Sequence, residues 1–127
     1  MYHAGDCVFI ETNYYKDGIA QAHLFVVILD TREEDDQTIL IPMDIIPARG
    51  FYDDTTILNV GDHDFIKEPT YMNYYYGRIR QKNWIDQNGI RREPPISDSL
   101  LQRISSGITR SDQTPNDVFD KYLFRKM

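Results

Sequence analysis

His63 stands between two carboxylates in the run Gly61-Asp62-His63-Asp64-Phe65-Ile66. Imidazole is the side chain that changes charge nearest neutral pH, so it is the natural carrier of a proton, and an adjacent Asp can orient it and stabilise its cation. The same residues also suit a glycine-started turn in which Asp62 and Asp64 cap backbone N–H groups while His63 faces water. His23 precedes an all-apolar run, a place that fits the rim of an active site and equally a capping or surface role. Asp44 interrupts Ile39 to Ile46, where an unpaired buried carboxylate would be costly, so it calls for a partner such as Arg49 or for solvent. Cys7, in an apolar run, reads as a small core residue. As the one cysteine, it excludes an intrachain disulfide and a thiolate-rich zinc site. No second His lies four residues from His63, so a metal site would need His3 or His23 from far along the chain. There is no phosphate-binding glycine loop, nucleophile elbow or paired-cysteine redox motif, and no cofactor is expected.

Charge is segregated along the sequence. The chain carries a formal charge of -6, yet residues 67–92 hold Lys67, Arg78, Arg80, Lys82, Arg91 and Arg92 against only Glu68 and Asp86. The overall charge disfavours non-specific attraction to nucleic acid or anionic lipid, whereas a local basic patch would act on its own. Within Thr70 to Lys82 the alternation places Met72, Tyr74, Tyr76, Arg78 and Arg80 on one strand face. Stacking surfaces beside phosphate-directed cations are what single-stranded nucleic acid needs, although Tyr and Arg also alternate on ordinary solvent-facing strands.

The elements that must position these groups are mostly strands. Cys7 to Ile10 and Leu24 to Leu29 predict a first strand and a central one, separated by the polar loop Asn13 to Gly18. Five acids between Asp30 and Asp36 predict a solvated hairpin tip before Thr38 to Ile46, and Pro42 places that third strand at an edge or at a bulge. Residues 47–67 predict a long loop holding one short strand at Thr55 to Leu58. After Pro94-Pro95 the period changes from two to about 3.6. Leu100, Leu101, Ile104 and Ile108 form a stripe behind a Ser97 cap, and Thr114-Pro115-Asn116-Asp117 opens a second helix carrying Val118, Phe119, Tyr122 and Leu123. The expectation is a single domain, mainly β, with a small open barrel over residues 1–92 and a helical C-terminal extension over 96–127. No apolar stretch approaches the ~20 residues of a membrane span, and the MYHAGD start lacks the features of a signal peptide, so a cytoplasmic protein is expected.

In their order and spacing, Asp53-Asp54-Thr55-Thr56-Ile57-Leu58, the Gly61 to Ile66 run and Thr70-Tyr71-Met72 resemble a branch of the PemK and MazF toxin family of bacterial toxin–antitoxin systems. The resemblance covers roughly residues 5 to 82, and the Ser97 to Ile108 helix is similar to that family's C-terminal one. Better-known members open the second strand with Arg-Pro, where this chain has His23-Leu24-Phe25, and follow the third strand's Pro with Thr or Ser, where it has Met43-Asp44. The resemblance implies an SH3-like small barrel, a homodimer, and a metal-independent endoribonuclease that cuts single-stranded mRNA and is neutralised by an antitoxin protein. Such a reaction needs a group to remove the ribose 2′-hydroxyl proton, another to protonate the leaving 5′ oxygen, and a cation to stabilise the phosphate. The candidates are His63 and His23, with Asp44 as a further one, for proton transfer, and Arg49 or Arg78 for the phosphate. Tyr74, Tyr76 and Arg80 would hold the RNA strand. The rival reading is a non-catalytic barrel that binds protein or RNA, since Tyr and Arg are also preferred at protein interfaces.

Overall fold

The computed structural model describes residues 1–12 and 21–127; the expected loop at Asn13 to Gly18 lies outside them. Its architecture is mainly β, a seven-stranded antiparallel open sheet with three helices. The strands are β1 (Cys7–Thr12), β2 (Gln21–Val27), β3 (Gln37–Ile45), β4 (Ile57–Leu58), β5 (Thr70–Met72), β6 (Arg78–Gln81) and β7 (Gly89–Arg92). They run in the order β4-β5-β3-β2-β1-β7, with β6 also pairing with β3. The helices are α1 (Lys82–Asn88), α2 (Asp98–Arg110) and α3 (Asn116–Lys126). Among the described residues no helix is long and apolar enough to cross a membrane.

Of the two places that Pro42 suggested for β3, an edge or a bulge, the edge is excluded, because β3 lies inside the sheet. Along one side it pairs with β2; along the other its first half pairs with β6 through Leu40 and its last residues pair with β5 from Met43. Pro42 falls in the interval between those two partners, where no ladder bond requires its missing N–H. Its carbonyl still accepts from the Asn73 N–H at 2.9 Å.

Alternation sorts the strands onto two faces, both buried over much of their area. One face packs Leu24, Val26, Ile39, Ile41 and Met72 against Leu100, Ile104 and Ile108 of α2 and Val118 of α3. The other packs Val8, Ile10, Phe25, Val27 and Leu40 against Tyr2 and Ile85, with Trp84 beside them. α2 forms where its apolar period and its cap predict, and the Ser97 hydroxyl accepts from the Leu100 N–H at 3.2 Å. α3 starts differently from expectation: Pro115 takes the N-cap position, and Thr114 Oγ1 is buried without a hydrogen bond. α1 and β7 were not foreseen. The segment Thr70 to Lys82 is not one strand either, because a single 3₁₀ turn at Tyr74–Tyr76 separates β5 from β6.

That turn sends Tyr74 into the core. Its hydroxyl donates to the Ile104 carbonyl at 2.7 Å and meets Thr56 Oγ1 at 2.8 Å, so a fully buried phenol is satisfied, and burial pushes its pKa well above the usual value. The hydroxyl fits because α2 has glycine at 107, where a Cβ would stand 2.0 Å from it. The acidic stretch before β3 is less solvated than its composition suggests. Lys121 Nζ and Arg125 NH2 of α3 reach Asp35 at 2.7 and 2.8 Å. Burial alone would raise the Asp35 carboxyl, but the hydrogen bonds from these two cations outweigh it and hold the pKa at about 2.

Two outcomes follow from these contacts. Gly107→Ala, which in an exposed helix would gain about 1 kcal/mol, should here lower the melting temperature, because overpacking against Tyr74 costs ~1–3 kcal/mol; an unchanged or raised value in a thermal melt would show that α2 can shift freely. The Asp35 clasp is complete above the ordinary carboxylate pKa of ~3.9 and is lost as pH falls towards 2, since the folded-state value lies below the unfolded one. Asp35→Asn should therefore flatten the decline of melting temperature between about pH 4 and pH 2, read by circular dichroism against the wild type.

Candidate functional site

The β2–β3 register pairs Phe25 with Pro42, and two residues further along it brings His23 opposite Asp44. His23 Nδ1 lies 3.0 Å from Asp44 Oδ1, with the two side chains only 7% and 9% exposed. The other carboxylate oxygen accepts from Asn73 Nδ2 at 2.8 Å. Asn73 is set in place by its own N–H bond to Pro42, and Tyr71, which pairs with Asp44 across β3 and β5, brings its hydroxyl to 3.4 Å from the same Nδ2. One row across four strands thus reads Ile10, His23, Asp44, Tyr71. When Nδ1–H donates to the carboxylate, the lone pair of the neutral ring lies on Nε2, an atom that is itself buried in this structure. A depression of about 330 Å³ runs along this end of β2 and β3, lined by Gln21, His23, Met43 and Asp44 among others.

Asn73 also belongs to a second pocket, of about 280 Å³, walled by Phe51, Tyr52, Tyr71, Tyr75 and Tyr76, with Asp53 and Gln113 beside them. The Tyr52 and Tyr71 rings are 5.4 Å apart, and those of Tyr75 and Tyr76 are 5.0 Å apart and nearly perpendicular. Buried Asp53 holds this loop to the end of α2, accepting from the Thr55 N–H and hydroxyl on one oxygen and from the Ser111 hydroxyl, at 2.6 Å, on the other. Arg78, on β6, places its guanidinium 5.5 Å from the centre of the Phe25 ring. Phe25 is the next residue after His23 on that sheet face, so a cation stands along the same face as the imidazole.

No family model, characterised protein or solved structure matches this chain.

The structure gives His63 a different setting from that of His23. It is buried in the turn before Ile66, not exposed; its Nδ1 accepts from the Phe65 N–H at 3.1 Å, and its Nε2 donates to the Pro94 carbonyl at 2.7 Å. Both ring nitrogens are engaged and the ring stacks on Phe65 at 5.0 Å, so His63 fastens its turn to the segment after β7. Asp62 does cap, accepting from the Asn59 N–H at 2.8 Å. Arg49 is exposed on the bend beyond β3, and the partners of Asp44 are His23 and Asn73 in its place. Tyr74 is corrected outright: fully buried, it offers no surface to RNA. Tyr76 is half-buried at the aromatic pocket.

Arg78 and Arg80 share a face of β6, as the alternation required, with Arg80 lying 4.9 Å over the Trp84 ring. Arg91 and Arg92, however, sit on β7, with β3, β2 and β1 between it and β6 in the sheet. There they cover the rings of Tyr2 and Phe9. The four arginines of the basic segment are therefore divided between two strands, and Lys82 pairs with Asp86. Among the described residues no three His, Cys, Asp or Glu side chains converge as a metal site would require. Sequence reasoning passed over Tyr71, Asn73, Phe51, Tyr52 and Tyr75. Asn73 and Gly77 bracketing three tyrosines was the available signal, since Asn and Gly mark turns better than strand interiors.

His63→Ala should lower the melting temperature by about 3–8 °C, from the loss of two hydrogen bonds worth ~1 kcal/mol each in a domain of this size. A melt that matches the wild type would show that the turn holds without the ring.

Proposed function

We propose that this protein is an endoribonuclease that cuts single-stranded RNA through the 2′-hydroxyl, with His23 as the general base, and that it serves as the toxin of a toxin–antitoxin pair. The observation that carries the reading is the buried His23–Asp44 pair at 3.0 Å, held by Asn73 beside an aromatic pocket. His23 Nε2 is buried in the resting structure, so the substrate must first uncover it; it then takes the 2′-hydroxyl proton while Asp44 holds the tautomer and stabilises the imidazolium. The 2′ oxygen then attacks the adjacent phosphorus and the bond to O5′ breaks, leaving a 2′,3′-cyclic phosphate and a 5′-hydroxyl. Arg78 stabilises the charge on the phosphate, and the Tyr71 hydroxyl, in the row with His23 and Asp44, gives its proton to O5′; the proton held on His23 then passes through water to the Tyr71 phenolate, restoring both groups. The route requires acid–base groups and a cation and no metal ion.

Two further observations support the toxin reading. Strands β1, β2, β3 and β6 follow one another in the sheet, and after the short α1 the chain returns to pair β7 with β1, an order that suits an SH3-like barrel. The resemblance of residues 5 to 82 to the PemK and MazF family brings with it a homodimer, a neutralising antitoxin protein and mRNA in the cytoplasm as the target. The open edges at β4 and β7 are suitable places for a second copy or a partner strand. A non-catalytic binding module is the second reading, favoured by the exposure of Phe51 and Tyr75.

The experiment is cleavage of a single-stranded RNA by purified protein in excess chelator. His23→Gln and Asp44→Asn should each lose ~10²- to 10⁴-fold in rate, while the wild type yields cyclic-phosphate ends. His23→Gln cutting at the wild-type rate would remove the imidazole from the mechanism. A wild type that cuts no RNA, with chelator or with added divalent cation, would leave the binding module.

A further inference from the structure

We propose that the tyrosine-walled pocket beside Asn73 holds one unpaired nucleobase of the RNA and selects bases that carry an exocyclic amino group. Its relation to the scissile phosphate rests on the ribonuclease reading; its affinity for a base does not.

Five aromatic side chains converge on a space of about 280 Å³, and two of them, Phe51 and Tyr75, remain 79% and 59% exposed. Rings left open to water at a concave site are suited to stack on another flat surface, and every nucleobase supplies one. The polar groups among the rings narrow the choice. Asp53 is buried and has both oxygens engaged, by Thr55 and by Ser111. Asn73 gives its Nδ2 to Asp44 and Tyr71, and Gln113 gives its Nε2 to Asp112 at 3.1 Å. Asn73, with both N–H groups given, has only its carbonyl oxygen left to offer a ligand, while Gln113 keeps one N–H beside its carbonyl oxygen. Adenine, cytosine and guanine bring an amino donor to such acceptors, whereas uracil brings carbonyls of its own. An unmet acceptor in a desolvated slot is costly, so discrimination against uracil follows from the same geometry. Asn73 also ties the pocket to the dyad, because the amide at the pocket wall holds the carboxylate that orients His23. A base seated there would belong to a nucleotide beside the one being cut.

The test uses 2′-O-methyl pentamers of A, C and U, which bind but cannot be cut through the 2′-oxygen, with fluorescence anisotropy as the readout. A and C pentamers should bind more tightly than U. Phe51→Ala and Tyr75→Ala, both at exposed positions and expected to leave the melting temperature unchanged, should each weaken A binding roughly 5- to 150-fold, the loss of one stacked base. Equal binding of all three pentamers, binding that survives both substitutions, or no binding of any pentamer would overturn the proposal. RNA cleavage is scored separately on the same proteins. If the wild type cuts no RNA but shows the pentamer pattern, the ribonuclease reading fails and the base pocket stands. If it cuts RNA and the two pocket variants bind and cut as the wild type does, the pocket fails and the dyad stands.

Discussion

The pairing register of β3 is the constraint on which the rest of the molecule depends. β3 touches four other strands' worth of structure: β2 along one side, β6 and β5 in succession along the other, and β4 through β5. A slip of one residue against β2 would turn Ile39 and Ile41 away from α2 and put Thr38 and Leu40 in their place. The same slip would part His23 from Asp44. Stability and chemistry are therefore set by one register, and Pro42 pins it by requiring that a ladder break fall where its N–H is missing.

Given that register, the sheet's two faces take different roles. The face under α2 is closed along its length by residues with almost no exposure, and Tyr74 and Gly107 lock helix to sheet by shape and by a satisfied phenol. On the opposite face, Tyr2 and Ile85 of α1 pack with Val8, Ile10, Phe25, Val27 and Leu40. The row across β2, β3 and β5 carries His23, Asp44 and Tyr71, groups that cost free energy to bury and so occur where each finds a partner. Rigid packing behind and a polar row in front is an arrangement that can hold a proton-transfer pair in one geometry.

How much of this was legible depended on whether the deciding partner was near in sequence. α2 was readable because a cap, a 3.6 period and an amphipathic face all lie within thirteen residues, and β2 because six consecutive apolar residues admit little else. The long strand expected from Thr70 to Lys82 failed for a physical reason. Alternation continues through Asn73 to Gly77, but β3 exchanges one partner for another there, and the intervening turn sends Tyr74 to the core. The histidines show the same limit. His63 drew notice through its neighbours Asp62 and Asp64, yet what fixes its ring is a carbonyl thirty-one residues away. His23 has no neighbouring acid at all, and Asp44 meets it only once two strands are in register. Asp35, similarly, was one acid in an exposed-looking cluster until α3 brought two cations to it.

Charge leads to a last step. In a chain of net charge -6 the cations at the sheet are individually docked on rings: Arg78 on Phe25, Arg80 on Trp84, Arg91 on Tyr2 and Arg92 on Phe9. Three of them are held in their own plane as well: Arg78, Arg80 and Arg91 donate to the carbonyls of Tyr76, Ile79 and Met1, and Arg91 also pairs with Asp6. With Arg78 and Arg80 on β6, beside β3, and Arg91 and Arg92 on β7 beyond β2 and β1, a short RNA lying across the dyad and the tyrosine pocket would neutralise few phosphates. At about -0.7 in log–log slope per contact on a single strand, few contacts mean a weak dependence on salt. Affinity would then come chiefly from base stacking and from acceptors fixed in the pocket, interactions that act at contact range and are indifferent to the sign of the chain's overall charge. On the proposed reading an acidic protein would hold RNA on those terms, with recognition placed in a pocket and not in a field.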